Sequence, residues 1–252
     1  MPPLEAYRRD AEHLAAGADT ATRAAAWLSA AVMLRRWSES SPTEREQLDA
    51  GLRQTLEQTT APATDRTSNG WIGAAGRRIA NEAEEAGAFH LAYSILALTE
   101  SIQRDDPLER GRSIAQRARI ARKVNDREGA EELYRTVEEL AREVGSPELR
   151  SRAFLGYGVL ARVRGNYPDA RRWYALAASE ADAHGITDLS SMAHQGLMIV
   201  AGSAGDLEQS LLEGWLAFQH ISDDRDREAE MLFNLGQLLL EMGRPQSASH
   251  AS

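Results

Sequence analysis

Apolar residues recur along the chain at the spacing of one face of an α-helix. Near the N-terminus, Ala24, Trp27, Leu28, Ala31 and Leu34 follow the i, i+3, i+4, i+7 pattern. Apolar and polar residues do not alternate over any long stretch, and no Asn-Gly pair lies between β-branched runs. The pattern therefore predicts an all-α protein.

A new helix is predicted to begin at Ser41. Ser41 can accept a hydrogen bond from the first turn, Pro42 suits that turn, and Glu44 is placed three residues later to complete a capping box. The buried stripe of this helix would be Leu48, Leu52 and Leu56. The following stretch, 59–70, contains turn-forming residues and almost no apolar side chain, which predicts a loop or linker.

A short phrase then recurs five times. It reads GAFHLA at 87–92 and returns as NDREGA, GNYPDA, GDLEQS and GRPQSA, ending at 92, 130, 170, 210 and 248, in steps of 38, 40, 40 and 38. Repeats of this length with helical patterns on both sides predict a solenoid of helix pairs. The chain thus divides into a helical segment (1–58), the linker (59–70) and a repeat array (71–252). Its units lie near 73–110, 111–150, 151–190, 191–228 and 229–252, the last one incomplete.

Each phrase is predicted to form the tight turn between the two helices of a unit. Glycine, or asparagine in its place, suits the left-handed conformation just after a helix end. These turn residues are Gly87, Asn125, Gly165, Gly205 and Gly243. Between units, the predicted N-caps are Asp106, Ser146, Asp188 and Asp223, with Pro107 and Pro147 in first turns.

The residues around these turns resemble the tetratricopeptide repeat (TPR) family. In the third unit, Tyr157, Gly158 and Ala161 precede the turn, and Tyr174 and Ala177 follow it. Small residues where two helices cross let their axes approach, and the aromatic side chain fills the remaining space. The resemblance covers about 71–248 and implies a right-handed α-solenoid, although these units are longer than the family's usual ones.

The resemblance also implies a binding surface. TPR arrays usually bind an extended peptide or a partner helix on the concave face, which the first helix of each unit lines. The corresponding positions are Arg77, Asn81, Arg112, Gln116, Arg119, Arg122, Arg152, Leu155, Val159, Arg162, Gln195 and Phe233. Such a groove is basic in the middle and apolar toward the C-terminus, which favours an acidic protein segment with hydrophobic anchors.

A narrower hypothesis is a clamp for a terminal carboxylate, as in chaperone-docking TPR domains. Arg77, Asn81, Gln116 and Arg152 occupy roughly the clamp positions, but the last clamp position is Gly156 and not a basic residue. The simpler interpretation is that these are solvated arginines in an arginine-rich chain.

Overall charge and composition narrow the class of partner. The chain has 38 acidic and 29 basic residues, a net charge of −9, which argues against direct binding of nucleic acid or an anionic membrane. It has no cysteine, so disulfides, thiol catalysis and thiolate metal sites are excluded. The absence of a long apolar run and of a secretory signal predicts a bacterial-type cytoplasmic protein.

No pattern of residues indicates catalysis. The six histidines form no spaced metal-binding pair, no glycine-rich phosphate loop follows a strand, and no nucleophile–base set is visible. We therefore predict no metal, no cofactor and a non-enzymatic adaptor or regulatory protein. A peptide- or ligand-sensing domain is the alternative, and an α-helical enzyme is the third. The apolar run Leu238, Leu239, Leu240 and Met242 additionally predicts self-association through the last helix.

Overall fold

The computed structural model describes Ser41, Glu44, Gly51 and residues 66–221 and 225–243, and the described part contains nine α-helices and no strand. The all-α prediction is confirmed. The helices are α1 Arg66–Glu85, α2 Phe89–Ile102, α3 Pro107–Lys123, α4 Arg127–Val144, α5 Pro147–Val163, α6 Tyr167–Ala183, α7 Thr187–Ser203, α8 Leu207–Gln219 and α9 Arg225–Met242. Over this part of the chain, none of them has the length and apolar character needed to cross a membrane.

The helices belong to two compact units, Met1–Leu140 and Ala141–Ser252, with the boundary inside α4. In the first unit, α1 packs on α2, α2 packs on α3, and α1 also touches α3. In the second unit, each helix from α5 to α9 packs on the next, and α5 also touches α7. A helix that contacts both its neighbour and the next helix but one is typical of stacked helix pairs.

The turns inside the helix pairs have the predicted left-handed backbone. Gly87, Asn125, Gly165 and Gly205 have φ values of 78°, 66°, 77° and 77°. Asn125 is the one residue among them that carries a side chain, in agreement with the tolerance of asparagine for this conformation. Gly243 follows α9 directly but does not have a positive φ, and its predicted partner helix lies outside the described residues.

The helix caps agree with the prediction in two of the three cases that can be compared. Asp106 accepts a hydrogen bond from the Glu109 N–H (3.1 Å), and Ser146 accepts one from the Leu149 N–H (3.2 Å). Asp188 is not a cap, because α7 starts one residue before it, after Ile186. Its carboxylate instead lies in the first turn, where it complements the helix dipole. Asp223 lies outside the described residues.

One half of the predicted capping box is present, the hydrogen bond that the Ser41 N–H donates to the Glu44 side chain. The Glu44 carboxylate accepts hydrogen bonds from the backbone N–H of Ser41 (3.0 Å) and from its hydroxyl (2.6 Å). These bonds favour the ionised form, so they lower the pKa of Glu44. The remainder of the predicted segment over 1–58, including the stripe Leu48, Leu52 and Leu56, lies outside the described residues apart from Gly51.

The boundary predicted for the linker is wrong at its C-terminal end. Helix α1 already begins at Arg66, so the last five residues of 59–70 are helical. Glycines further along the same helix allow it to pack closely on α2. A Cβ on Gly76 would lie 2.3 Å from Oγ1 of Thr99 on α2. Burial of the helix therefore outweighs the weak helix propensity of glycine.

The predicted packing of small residues around an aromatic ring is confirmed in the second unit. Tyr174 of α6 is buried, and its ring lies between Gly158 of α5 and Gly196 of α7. A Cβ at Gly158 would come within 2.7 Å of the ring, and one at Gly196 within 2.6 Å. Three successive helices can therefore approach one another only because both facing positions lack a side chain.

Candidate binding surface

The first unit brings several of the predicted site residues together on α1 and α3. Arg77 NH2 lies 2.5 Å from Oε2 of Glu109, and Arg112 pairs with the other oxygen of the same carboxylate. One glutamate thus holds two of the predicted arginines. Their charges are partly balanced within the protein, which the sequence pattern did not indicate.

The neighbouring residues continue this arrangement toward the end of α3. Gln116 Nε2 donates to Oδ1 of Asn81 (2.7 Å), and Arg119 NH2 donates to the same oxygen (2.9 Å). Arg119 also contacts Oε2 of the buried Glu84 (2.6 Å), and Lys123 Nζ lies 2.7 Å from Oε1 of Glu84. The two cations offset the charge of this buried carboxylate.

Charge on this face remains positive after pairing. Four cations, Arg77, Arg112, Arg119 and Lys123, surround two carboxylates, Glu84 and Glu109, so their formal sum is 4 − 2 = +2. We define these residues, with Asn81 and Gln116, as the polar face.

Arg122 is engaged differently from the other predicted arginines. Burial raises the pKa of the Tyr134 hydroxyl, while a hydrogen bond from Arg122 acts in the opposite direction. The guanidinium therefore binds the tyrosine of the neighbouring helix α4.

Three of the residues predicted for a carboxylate clamp already have partners within the protein. Arg77, Asn81 and Gln116 lie together, but they bind Glu109 or one another. A terminal carboxylate bound here would have to compete with these contacts.

In the second unit, the predicted residues of α5 divide between surface and core. Arg152 Nε contacts Oε1 of Glu148 (3.0 Å), and Arg162 Nε lies 3.4 Å from the Tyr174 hydroxyl. Leu155 is buried among the apolar side chains between α5, α6 and α7, and Val159 packs against the same cluster. Leu155 therefore belongs to the core and not to a ligand-binding surface, because helix packing, and not the repeat register alone, decides which side of α5 is covered.

The apolar end of the predicted groove is exposed. Met192 and Ile199 on α7 are exposed, Gln195 between them is half-buried, and Phe233 on α9 is 65% exposed. Arg227 NH2 lies 3.3 Å from Oγ of Ser191, so α9 starts beside α7. We call Met192, Gln195, Ile199 and Phe233 the apolar face. Further along α9, Leu232, Leu239 and Leu240 are also exposed, whereas Leu238 packs toward the core.

A cavity beside α2 and α3 was missed by the sequence analysis. Glu100, Arg110 and Arg117 line it, with a volume of about 470 Å³. Arg117 lies 2.5 Å from the Glu100 carboxylate, and its guanidinium stacks over the Tyr93 ring. The repeat pattern predicted binding residues on one face of α3 only, whereas Arg110 and Arg117 lie on another face.

The surroundings of His194 were also not predicted from the sequence. His194 is buried, and its Nδ1 lies 2.6 Å from Oε2 of Glu213. This hydrogen bond is the largest cause of a raised pKa at His194, to which Asp182 also contributes, while burial opposes it. His194 is thus a buried histidine with two acidic partners, although the sequence shows no spaced metal-binding pair. Its position on the buried side of α7 could have indicated that His194 is buried. Its partners Asp182 and Glu213 could not be predicted, because they are 12 and 19 residues away on other helices.

Comparison with solved structures finds two proteins with a similar arrangement of helices. BtubC (BKLC) from P. vanneervenii has a TM-score of 0.62 at 14% identity, over 81% of this chain and 85% of that chain. A signal transduction ATPase with numerous domains (STAND) from Pyrococcus horikoshii, which has a tetratricopeptide repeat sensor, has a TM-score of 0.57 at 16% identity. This chain has a helical-repeat fold. The match covers 94% of this chain but 36% of the STAND protein.

Sequence comparison adds no family assignment. No protein-family model matches the chain, and no curated protein matches it. At such low identity, the structural likeness supports a conclusion about the fold alone. Any function therefore rests on the residues of the polar face and the apolar face.

Proposed function

We propose that the protein is a non-enzymatic adaptor or regulatory protein of the cytoplasm, a right-handed TPR-like superhelix that binds a protein segment on the first helices of its units. The observation that carries the proposal is the exposure of Phe233, Met192 and Ile199 on neighbouring first helices, α7 and α9. Clusters of exposed apolar side chains with a polar surround are typical of interaction sites.

The chemistry of the expected partner follows from the residues of the second unit. Phe233 and Ile199 offer contact area to apolar anchors, and Gln195 can hydrogen-bond a peptide backbone. Arg152 lies on α5, where it contacts Glu148 and its side chain is 40% exposed. We therefore expect a segment that combines hydrophobic anchors with acidic residues. The polar face of the first unit, with its positive sum, independently favours acidic groups.

Peptide selection with matched variants tests the proposal. The full chain would be immobilised and used to select from a random displayed peptide library, and the affinity of selected peptides would be measured by fluorescence anisotropy. We expect the double change Ile199→Ser and Phe233→Ser to weaken binding at least about tenfold, or about 1.4 kcal/mol, because anchors in an interface centre carry most of the binding energy.

The control is a loss of two other exposed apolar side chains, on second helices. Leu176 on α6 and Leu212 on α8 are exposed, so Leu176→Ser with Leu212→Ser leaves the apolar face intact. The proposal predicts unchanged affinity for this control. Equal weakening by both double variants, or the selection of no peptide, would contradict it.

Ligand sensing is a second candidate, which the likeness to a protein with a tetratricopeptide repeat sensor favours. In that case, a small molecule, and not a protein segment, would occupy the surface. A ligand screen by thermal shift distinguishes the two, since a ligand that binds only the folded protein raises its melting temperature.

Self-association through α9 is the third part of the proposal. Leu239 and Leu240 expose more than half of their side-chain surface, and burying them against a second copy would remove apolar area from water. We expect light scattering to give a higher mass for the wild type than for Leu239→Glu. An equal mass for the two proteins would remove this idea.

A further inference from the structure

A cluster of metal-binding side chains lies in the second unit, away from the apolar face. It consists of Asp182 at the end of α6, His194 in the middle of α7 and His220 just after α8. One ligand atom from each residue lies within 4.8 Å of those of the other two. His194 Nε2 is 3.3 Å from Oδ2 of Asp182, and His220 Nε2 is 3.8 Å from Oδ1.

The two imidazole rings are arranged in parallel. Their centroids are 6.1 Å apart with an interplanar angle of 5°, and the Nε2 atom of each ring lies near the same carboxylate. A buried histidine that needed a single hydrogen-bond partner would be satisfied by Glu213 alone. On the other side of His194, a second imidazole and a second carboxylate converge, which brings three side chains of the types that bind metals to one point.

Glu213 supplies the outer support that metal-ligating histidines usually have. Its Oε2 lies 2.6 Å from His194 Nδ1, and its Oε1 accepts a hydrogen bond from Nε2 of Gln209 (2.7 Å). With the proton held on Nδ1, the Nε2 lone pair of His194 points away from Glu213 and is available to a cation. A carboxylate that fixes the tautomer and the ring orientation in this way is a recurring feature of zinc sites.

Electrostatics favours a cation at the same point. In the described part of the chain, Asp182 and Glu213 have no arginine or lysine within ion-pair distance, and their contacts there are with the two histidines, Ser190 and Gln209. With neutral imidazoles, the cluster carries two negative charges, and Glu213 is buried. A divalent ion would balance both charges within one site.

We propose that His194 Nε2, His220 Nε2 and the Asp182 carboxylate bind a zinc ion, with Glu213 orienting His194. Two imidazoles and one carboxylate are ligands that Zn²⁺ prefers, at about 2.0–2.2 Å, and three protein ligands leave a fourth position for water. His220 is partly exposed and Asp182 is exposed, so neither side chain is fixed by packing on every side. Bound zinc would link the ends of α6 and α8 to the middle of α7.

Isothermal titration of the full chain without a histidine tag, with Zn²⁺ alone, tests the proposal. We expect one ion per chain with micromolar or tighter affinity, and Co²⁺ in its place should give the visible absorption of a four- or five-coordinate site. His220→Ala and Asp182→Asn should each weaken Zn²⁺ binding about 100-fold or more, and Glu213→Gln about 10- to 100-fold.

The matched control is His184→Ala. His184 is an exposed histidine two residues from Asp182, and its Nδ1 lies against the Glu180 carbonyl oxygen, outside the cluster. Zinc affinity should be unchanged in this variant, and zinc should raise the melting temperature of the wild type and of His184→Ala alike. Absence of binding in the folded wild type, or equal affinities in wild type and His220→Ala, would overturn the proposal.

Discussion

Replacement of Tyr174 by alanine is expected to lower the free energy of unfolding by about 3–5 kcal/mol. The ring is buried between Gly158 and Gly196, so its removal leaves a cavity bordered by three helices, α5, α6 and α7. Neither glycine has a side chain that could move into the space. Urea unfolding, followed by the fluorescence of tryptophans such as the partly buried Trp173 and by circular dichroism, measures the loss.

Two further variants separate ring packing from the other roles of this tyrosine. Tyr174→Phe keeps the ring and removes the hydroxyl beside Arg162 Nε, so it should cost about 1 kcal/mol or less. Gly196→Ala keeps the ring but places a Cβ within 2.6 Å of it, and should cost about 1–3 kcal/mol. If Gly196→Ala were neutral, the close approach of α6 and α7 described here would be incorrect.

Replacement of Glu82 by glutamine is expected to stabilise the protein at alkaline pH by about 2 kcal/mol. Glu82 is buried in α1, and neither of its carboxylate oxygens has a hydrogen-bond partner in the described part of the chain. Burial without a partner raises its pKa from 4.5 to about 7. At pH 8 the wild type must therefore keep an unpaired charge out of water, whereas glutamine is neutral.

The raised pKa of Glu82 determines how the free energy of unfolding changes with pH. A carboxyl group with a raised pKa binds more protons in the folded state than in the unfolded state, so stability falls as the pH rises from about 4.5 to 7 and then levels off. The advantage of Glu82→Gln should thus appear over this range and vanish near pH 4. Glu139→Gln, at an exposed position of α4, is the control and should change little at any pH. A constant difference across the pH range would contradict the assignment.

Local patterns predicted the helices and their ends because the physical causes are local. Positive φ at Gly165, the cap at Ser146 and the hydrogen bond from Ser41 to Glu44 each depend on residues a few positions apart. Gly158 and Tyr174 could also be predicted to pack together, because the repeat register carries that information. The start of α1 inside the predicted linker could not, since it depends on packing against α2.

The contacts of the predicted site residues could not be predicted from the sequence, because their side chains pair with residues of other helices. Arg77 and Arg119 are on the expected helices, but Glu109 and Glu84 balance them from positions 32 and 35 residues away. Leu155 was predicted for the surface and lies in the core, because the packing of α5 against α6 and α7 covers it. The cluster of His194, His220 and Asp182 follows no sequence spacing, because its three members come from the ends or the middle of different helices.

The most direct test of binding at the apolar face is methyl NMR of the full chain labelled at its six methionines. Met192 is exposed on this face, whereas Met198 on the same helix and Met231 on α9 are buried in the core. When a selected peptide is added, the account predicts a large, saturable shift of the Met192 methyl signal, with little change at Met198 and Met231. A bound peptide that leaves Met192 unshifted would show that the protein binds its partner elsewhere.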